Sequence, residues 1–340
     1  MAGWKPRMRA AFVPEPGRVE VGEFPTPAAG AGEVLVELAH ASVCGSDIRK
    51  VFDGFHDPEW LGTPGWPGHE GVGVVLDSHT PAFPPGTGVL TVPPGRSGRC
   101  FAEYVAIDAA HVVPLPADVP AQRLLPAQQL GTTVFALKRF LRHPGTRGAG
   151  CAAVIGAGSS GLFFVQQLLR RGFTTVVACD LNADRLREAA RLGATHTVLG
   201  PAGSSPFVAQ VLDATDGRGA DLVVEAAGGD DCRQAAVEAA RDAGTLGLFG
   251  YPQRPGDAPF PVDRAFRKRL TMEWVNGAQS EPGLTSFRTA LDLIARGEIE
   301  VDHCLRTAYP LEDAPAAFAA ARAQGHGAAK VNVVLPAGAA

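Results

Sequence analysis

The chain has 340 residues, 46% hydrophobic and 19% charged, with a formal net charge of −4. This length favours two domains of ordinary size. With no long run of one charge, nucleic acid and anionic membranes are excluded as expected partners. No apolar run approaches the roughly 18 residues of a membrane span, and the opening "MAGWKPRMRAAFV" lacks the apolar stretch of a secretory signal, so the cytoplasm is the expected location. The six cysteines are scattered with no CxxC pair, which argues against a disulfide framework.

Residues 1–7 read as a loose extension. From Met8 to about residue 115 the chain reads as short strands broken by Gly/Pro turns, among them "GEVLVELAHASVCG", "EGVGVVLDS", "GVLTVPP" and "CFAEYVAID". Strands without intervening helices predict an antiparallel, barrel-like β domain. After Pro126 the pattern changes to alternation: helix 131–142, strand 151–155, helix 159–171, strand 174–179, helix 183–192, strand 195–199, helix 205–214, strand 221–226, helix 231–242 and strand 244–249. That alternation predicts a parallel, doubly wound sheet, and so an α/β chain overall. Two amphipathic helices, "GLTSFRTALDLIARG" and "DAPAAFAAARAQ", precede a final strand, "KVNVVL".

Within the alternating region, "CAAVIGAGSSGLFFVQQLLRRG" runs a strand into Gly156, Gly158, Ser159, Ser160 and Gly161 as a helix opens. Asp180 follows Gly161 by 19 residues, at the end of the next strand. A lone GxGxxG is weak, but this context is that of a dinucleotide site. Gly156 allows the tight turn, Gly158 lets backbone approach a pyrophosphate, and Gly161 lets helix pack on strand. The helix N-terminus attracts phosphates. Asp180 would accept from ribose hydroxyls and repel a 2′-phosphate, which selects NAD. Arg185 offers either a 2′-phosphate partner or a solvated helix face.

In the first half, "ASVCGSDIRK" and "WPGHEGVGVV" supply Cys44, His69 and Glu70. Thiolate, imidazole and carboxylate are ligands a zinc ion takes, and Asp47 could orient the imidazole. On spacing alone the trio reads equally as a buried Cys beside a hydrogen-bonded His–Glu pair.

The ordered motifs "CGSD", "PGHEGVGVV", "FAEYV", "VIGAGSSG" and "ADLVVEAAG" resemble the zinc-containing medium-chain alcohol and polyol dehydrogenases, from about Met8 to Leu335. The resemblance implies a GroES-like catalytic domain (1–129 and 278–340) with an inserted NAD-binding Rossmann domain (130–277). It implies one catalytic zinc on Cys44, His69 and Glu70, and Ser46 passing on the substrate proton. It also implies a homodimer or homotetramer joined at the Rossmann sheet edge through "LTMEWVNG".

Three departures stand out. Only Cys100 lies where many members carry a four-cysteine lobe, so no structural zinc is expected. Gln128 aligns with the third ligand at the domain junction. Arg49 replaces a relay His and cannot relay, because it stays protonated. The expected reaction is NAD-linked oxidation of a secondary alcohol, or reduction of the ketone. Arg49, Asp53, His56, Asp57 and Glu59 favour a sugar, aminosugar or cyclitol hydroxyl, or are merely solvated. The alternatives are a zinc-free quinone or enoyl reductase of the same superfamily, and a non-catalytic NAD-binding protein.

Overall fold

The computed structural model describes residues 4–95, 97–142, 150–203 and 205–338. Two compact units divide the chain, Met1–Thr132 with Gly277–Ala340, and Thr133–Asn276. The first begins with an antiparallel pair, β1 (Arg7–Phe12) and β2 (Glu20–Pro25). Next come β3 (Glu33–Val43), α1 (Gly45–Phe52), β4 (Gly71–Ser78), β5 (Gly88–Thr91), β6 (Tyr104–Asp108) and β7 (Val112–Pro114), then α2 (Ala121–Leu124) and α3 (Ala127–Phe140), which passes into the second unit at Thr133.

In the second unit, strands and helices alternate. They are β8 (Cys151–Ile155), α4 (Ser159–Arg170), β9 (Thr175–Asp180), α5 (Ala183–Arg191), β10 (His196–Leu199), α6 (Ser205–Asp213) and β11 (Ala220–Glu225). The series continues with α7 (Asp230–Ala239), β12 (Ala240–Leu248), α8 (Val262–Arg267) and β13 (Thr271–Trp274). The chain returns to the first unit with α9 (Thr285–Ala295), β14 (Ala308–Pro310), α10 (Ala314–Arg322) and β15 (Val331–Val334).

The first unit's sheet runs β14-β15-β3-β4-β5-β7, with β6 also on β3. Long β3 organises it. Its start pairs with β6 and its end with β15, while β4 lies along its other edge. Alternate β3 side chains Val34, Val36 and Leu38 enter the core, where Phe101 meets Phe318 of α10 edge-on at 5.1 Å.

The second unit is a parallel sheet in the order β10-β9-β8-β11-β12-β13. Succession runs outward one way from β8 and the other way from β11. A switch point therefore lies between β8 and β11, where open parallel sheets bind ligands beyond the strands' carboxyl ends. Every residue of β8 is buried, as a strand covered on both faces requires.

Several elements depart from the sequence reading. The region expected to hold only strands contains α1, whose first turn carries the capping carboxylate of Asp47. Helix α3 starts at Ala127 rather than 131, directly after Pro126, a residue suited to a helix start. Helix α7 ends at Ala239 rather than 242, because Ala240 pairs with Ala220 and begins β12. Helix α8 was not anticipated. Within the supposed loose extension, Lys5 and Pro6 are held: Thr26 Oγ1 donates to Lys5 O (2.7 Å) and Thr26 N to Pro6 O (3.0 Å). Residues 1–3 lie outside the described residues.

Candidate functional site

Cys44 follows the end of β3 and caps α1 in extended conformation. Its N–H donates to Asp47 Oδ2 at 2.9 Å, which satisfies a backbone donor the helix leaves open. The other carboxylate oxygen of Asp47, itself fully buried, stands 3.0 Å from His69 Nδ1. Asp47 thus fixes the imidazole and leaves Nε2 as the ring's remaining ligand atom. Burial depresses the basicity of His69, but the nearby Asp47 carboxylate and Cys44 outweigh it and hold the pKa well above the usual value.

Glu70 immediately precedes β4, and its carbonyl accepts from Ser42 N at 3.2 Å. Its buried carboxylate is heavily engaged. Oε2 accepts from Ser42 Oγ and lies 2.6 Å from Lys330 Nζ. Lys330 also donates to Gln129 Oε1 at 3.2 Å. The register that pairs Val331 with Val43 brings Lys330 beside Cys44, at the end of β3. Burial works against the Lys330 charge, but Glu70 and Cys44 overcome it and raise the pKa above the ordinary lysine value.

Cys44, His69 and Glu70 each present one ligand atom, and all three atoms lie within 4.8 Å of one another. A thiolate, an imidazole and a carboxylate at that spacing fit a zinc ion. Gln128 sits in the first turn of α3, buried, with Nε2 lacking a partner among the described residues. Its neighbour Gln129 is the residue tied to Lys330. Lys330 and Ser42 escaped the sequence reading. A buried glutamate in a "GHE" segment was the signal that a cation should be sought for it.

Ser46 is half-buried in the first turn of α1, two residues past Cys44. Arg49 pairs with Asp53 at 2.5 Å across one turn of that helix, so two of the five supposed substrate groups satisfy each other. His56 Nδ1 is buried without a partner among the described residues, Asp57 is half-buried and Glu59 is exposed. Cys100 is buried with Sγ 3.3 Å from Thr91 Oγ1, and burial pushes its thiol up to about 12. Gly98 packs backbone to backbone against the metal candidates: a Cβ there would stand 2.3 Å from Gly68 O and 2.8 Å from His69 Cβ.

In the second unit, Gly156 turns with φ +94°, and a Cβ on Gly161 would stand 1.8 Å from Gly156 O. Only glycine fits there. Gly158 caps α4, whose first turn holds Ser159 and Ser160. Asp180 bridges the loop to its own strand end: Oδ2 accepts from Ala157 N (2.7 Å) and Oδ1 from Asn182 N (2.8 Å). Asn182 in turn caps α5 by accepting from Asp184 N and Arg185 N. Arg185 is not on a solvated face. It is half-buried, with Nη1 4.0 Å from where a Gly158 Cβ would stand. Burial lowers its pKa and Asp180 opposes the shift.

A GroES-like β unit, a parallel nucleotide-binding sheet and a zinc-compatible trio define an oxidoreductase of the zinc-type alcohol dehydrogenase class. Residues 30–117 match the alcohol dehydrogenase GroES-like domain model, and residues 161–296 the zinc-binding dehydrogenase model. A probable zinc-binding alcohol dehydrogenase of Mycobacterium tuberculosis is 30% identical, over 93% of this chain and 86% of that protein. L-threonine 3-dehydrogenase of Bacillus velezensis is 27% identical, over 86% of this chain and 88% of that one. The crystal structure of galactitol-1-phosphate dehydrogenase from Escherichia coli superposes with a TM-score of 0.80 at 24% identity, covering 96% of this chain and all of that one. The chain belongs to the zinc-binding alcohol dehydrogenase family, the zinc-dependent branch of the medium-chain dehydrogenases. It shares that family's nucleotide cofactor and small-molecule alcohol substrates. No helix among the described residues is long and apolar enough to cross a membrane.

Proposed function

We propose that the chain oxidises a secondary alcohol of a sugar, aminosugar or cyclitol with NAD, or reduces the corresponding ketone, using one zinc ion. The observation that carries this reading is the convergence of Cys44, His69 and Glu70 within 4.8 Å, with Asp47 orienting the imidazole. Cys44, His69 and Glu70 would hold the ion, with Gln128 as the neutral fourth protein group. The ion, when bound, supplies a Lewis acid that polarises the substrate oxygen. NAD, when bound, would supply the hydride acceptor, so that alcohol and NAD would give ketone, NADH and a proton; Ser46 would receive the hydroxyl proton and pass it on. Arg49, engaged with Asp53, is not the route by which that proton leaves.

Lys330 refines the charge balance. Its positive charge stands against Glu70 and near Cys44, so the trio offers a metal less net negative charge than its two anions alone would. Gln128→Glu therefore tightens zinc and raises the pH at which oxidation reaches half its maximum, because added negative charge makes the ion a weaker acid.

Asp180, half-buried beside the glycine loop, supports NAD over NADP through repulsion of a 2′-phosphate. The polar-substrate reading draws support from the half-buried His56 and Asp57 and from the polyol phosphate in the E. coli protein's name. Edge strand β13 leaves Met272 and Trp274 exposed, which supports a homo-oligomer formed by edge pairing. NADH absorbance across a polyol and cyclitol panel, before and after zinc removal, tests the reaction. Undiminished turnover without zinc refutes the mechanism, and equal use of NADP refutes the cofactor choice.

A further inference from the structure

Glu225 ends β11 at the switch point of the parallel sheet, opposite Ile155 of β8 and Leu248 of β12. It is fully buried. Its Oε1 accepts from two successive backbone donors, Ala227 N and Gly228 N, both at 2.7 Å. Its own carbonyl accepts from Phe249 N (2.9 Å) and Gly250 N (2.8 Å), at the end of the next strand. One residue therefore fastens two turns, 226–229 after β11 and 249–251 after β12.

Those turns interlock through glycine. A Cβ on Gly228 would stand 1.8 Å from Tyr251 O, and one on Gly250 would stand 2.3 Å from Gly228 N and 2.8 Å from Glu225 Oε2. Arg233 braces the first turn from α7, its Nη2 donating to Gly228 O at 3.1 Å. The same turn abuts the glycine loop: Ala226 N donates to Ile155 O at 2.9 Å, and a Gly156 Cβ would stand 3.3 Å from Ala227 N. Glu225 Oε2 is buried with no partner among the described residues. A desolvated carboxylate with an unused oxygen is an expensive way to hold a turn, and such groups persist where function needs the geometry.

A dinucleotide spans the switch point, one half on each mononucleotide-binding half of the sheet. Asp180 at the end of β9 places the adenosine on the β8–β10 side, so the turns after β11 and β12 face the nicotinamide half. We infer that Glu225 is the positioning residue for that half: its carboxylate sets the 226–229 and 249–251 turns against which the nicotinamide and its ribose lie. This rests on the dinucleotide reading proposed above.

The test compares two probes on the full chain. NADH reports both halves of the site, and ADP carries only adenosine and its phosphates. Glu225→Ala removes both side-chain hydrogen bonds and weakens NADH by about tenfold or more, while ADP affinity stays within about twofold. Glu225→Gln keeps an acceptor for Ala227 and Gly228 and restores most of the NADH affinity. Should Glu225→Ala not fold, Glu225→Asp, one methylene shorter, carries the same comparison. Unchanged NADH affinity in a folded variant overturns the inference, as does an equal loss of both probes. Wild-type protein that binds neither probe overturns the dinucleotide reading itself, and the inference with it.

Discussion

Lys330 and Glu70 meet at 2.6 Å inside the β unit, one from the last strand's approach and the other from the segment that carries His69. Both are buried, so neither charge has water to fall back on. Lys330→Met leaves Glu70 buried with only the Ser42 hydroxyl and no counter-charge beside it, a change that costs about 3–5 kcal/mol. The urea midpoint should fall accordingly, and the double variant with Glu70→Gln should recover much of the loss. The pH dependence has a definite sign. The folded pKa of Lys330 lies above its ordinary value, so its contribution is complete below the unfolded lysine value, about 10.4. It disappears as pH rises through the folded value. The gap between wild type and Lys330→Met should be flat near neutrality and close only in strong alkali.

Gly161→Ala tests the glycine loop. The new methyl would meet the Gly156 carbonyl at 1.8 Å, and backbone cannot move aside as a flexible side chain would. Either α4 shifts off β8 or the turn opens. We expect a stability loss of about 1–3 kcal/mol together with loss of NADH binding, read by calorimetry and nucleotide fluorescence. Normal NADH affinity in this variant would remove the loop from the cofactor site.

The alternation after Pro126 was legible because a parallel sheet imposes it locally: β8 is apolar throughout, while α5 buries Leu186 and Ala189 on one face. The trio of ligand candidates was legible because each residue carries its chemistry openly. Helix α1 was not, since eight residues are too few for a helical period to stand out, although Asp47 three residues after Cys44 is a capping signal. Lys330 could not be read at all. It lies near Glu70 only through the pairing of β15 with β3 and of β3 with β4, a long-range register that no local pattern encodes. Arg185 stayed open between a 2′-phosphate partner and a solvated face because its half-burial beside Gly158 comes from a neighbour 27 residues away in the chain, which no helical period encodes.

Gly98→Ala probes the floor beneath His69. A Cβ there collides with Gly68 O and His69 Cβ, so either the chain around Gly98 or the Gly68–His69 segment must shift. Zinc retention against a chelator should fall by about tenfold or more if His69 is a ligand, because ligand geometry is disturbed while every donor survives. Elemental analysis after graded chelator exposure measures it. Zinc held as firmly as in wild type would show that the chain around Gly98 gives way instead, and zinc retained by His69→Ala would remove His69 from the ligands.

The buried carboxyl of Glu225 gives a stability test that needs no ligand. Desolvation raises its pKa; the Gly228 and Ala227 amides and Arg233 pull the other way without cancelling the shift. An acid whose folded pKa exceeds the unfolded one, about 4.3, stabilises most when protonated. That contribution is complete below the unfolded value and is lost as pH rises through the folded value. Glutamine has the shape of the protonated acid but cannot ionise. At pH 4 the melting temperatures of wild type and Glu225→Gln should nearly coincide. Above that, the variant should gain on wild type until the folded pKa is passed and the difference levels off. Arg233, Asp231 and Cys232 face the carboxyl in both proteins. Calorimetry across pH 4 to 8 reads it directly. A difference that is constant, or that shrinks with rising pH, would show that the carboxylate is better solvated than its burial implies.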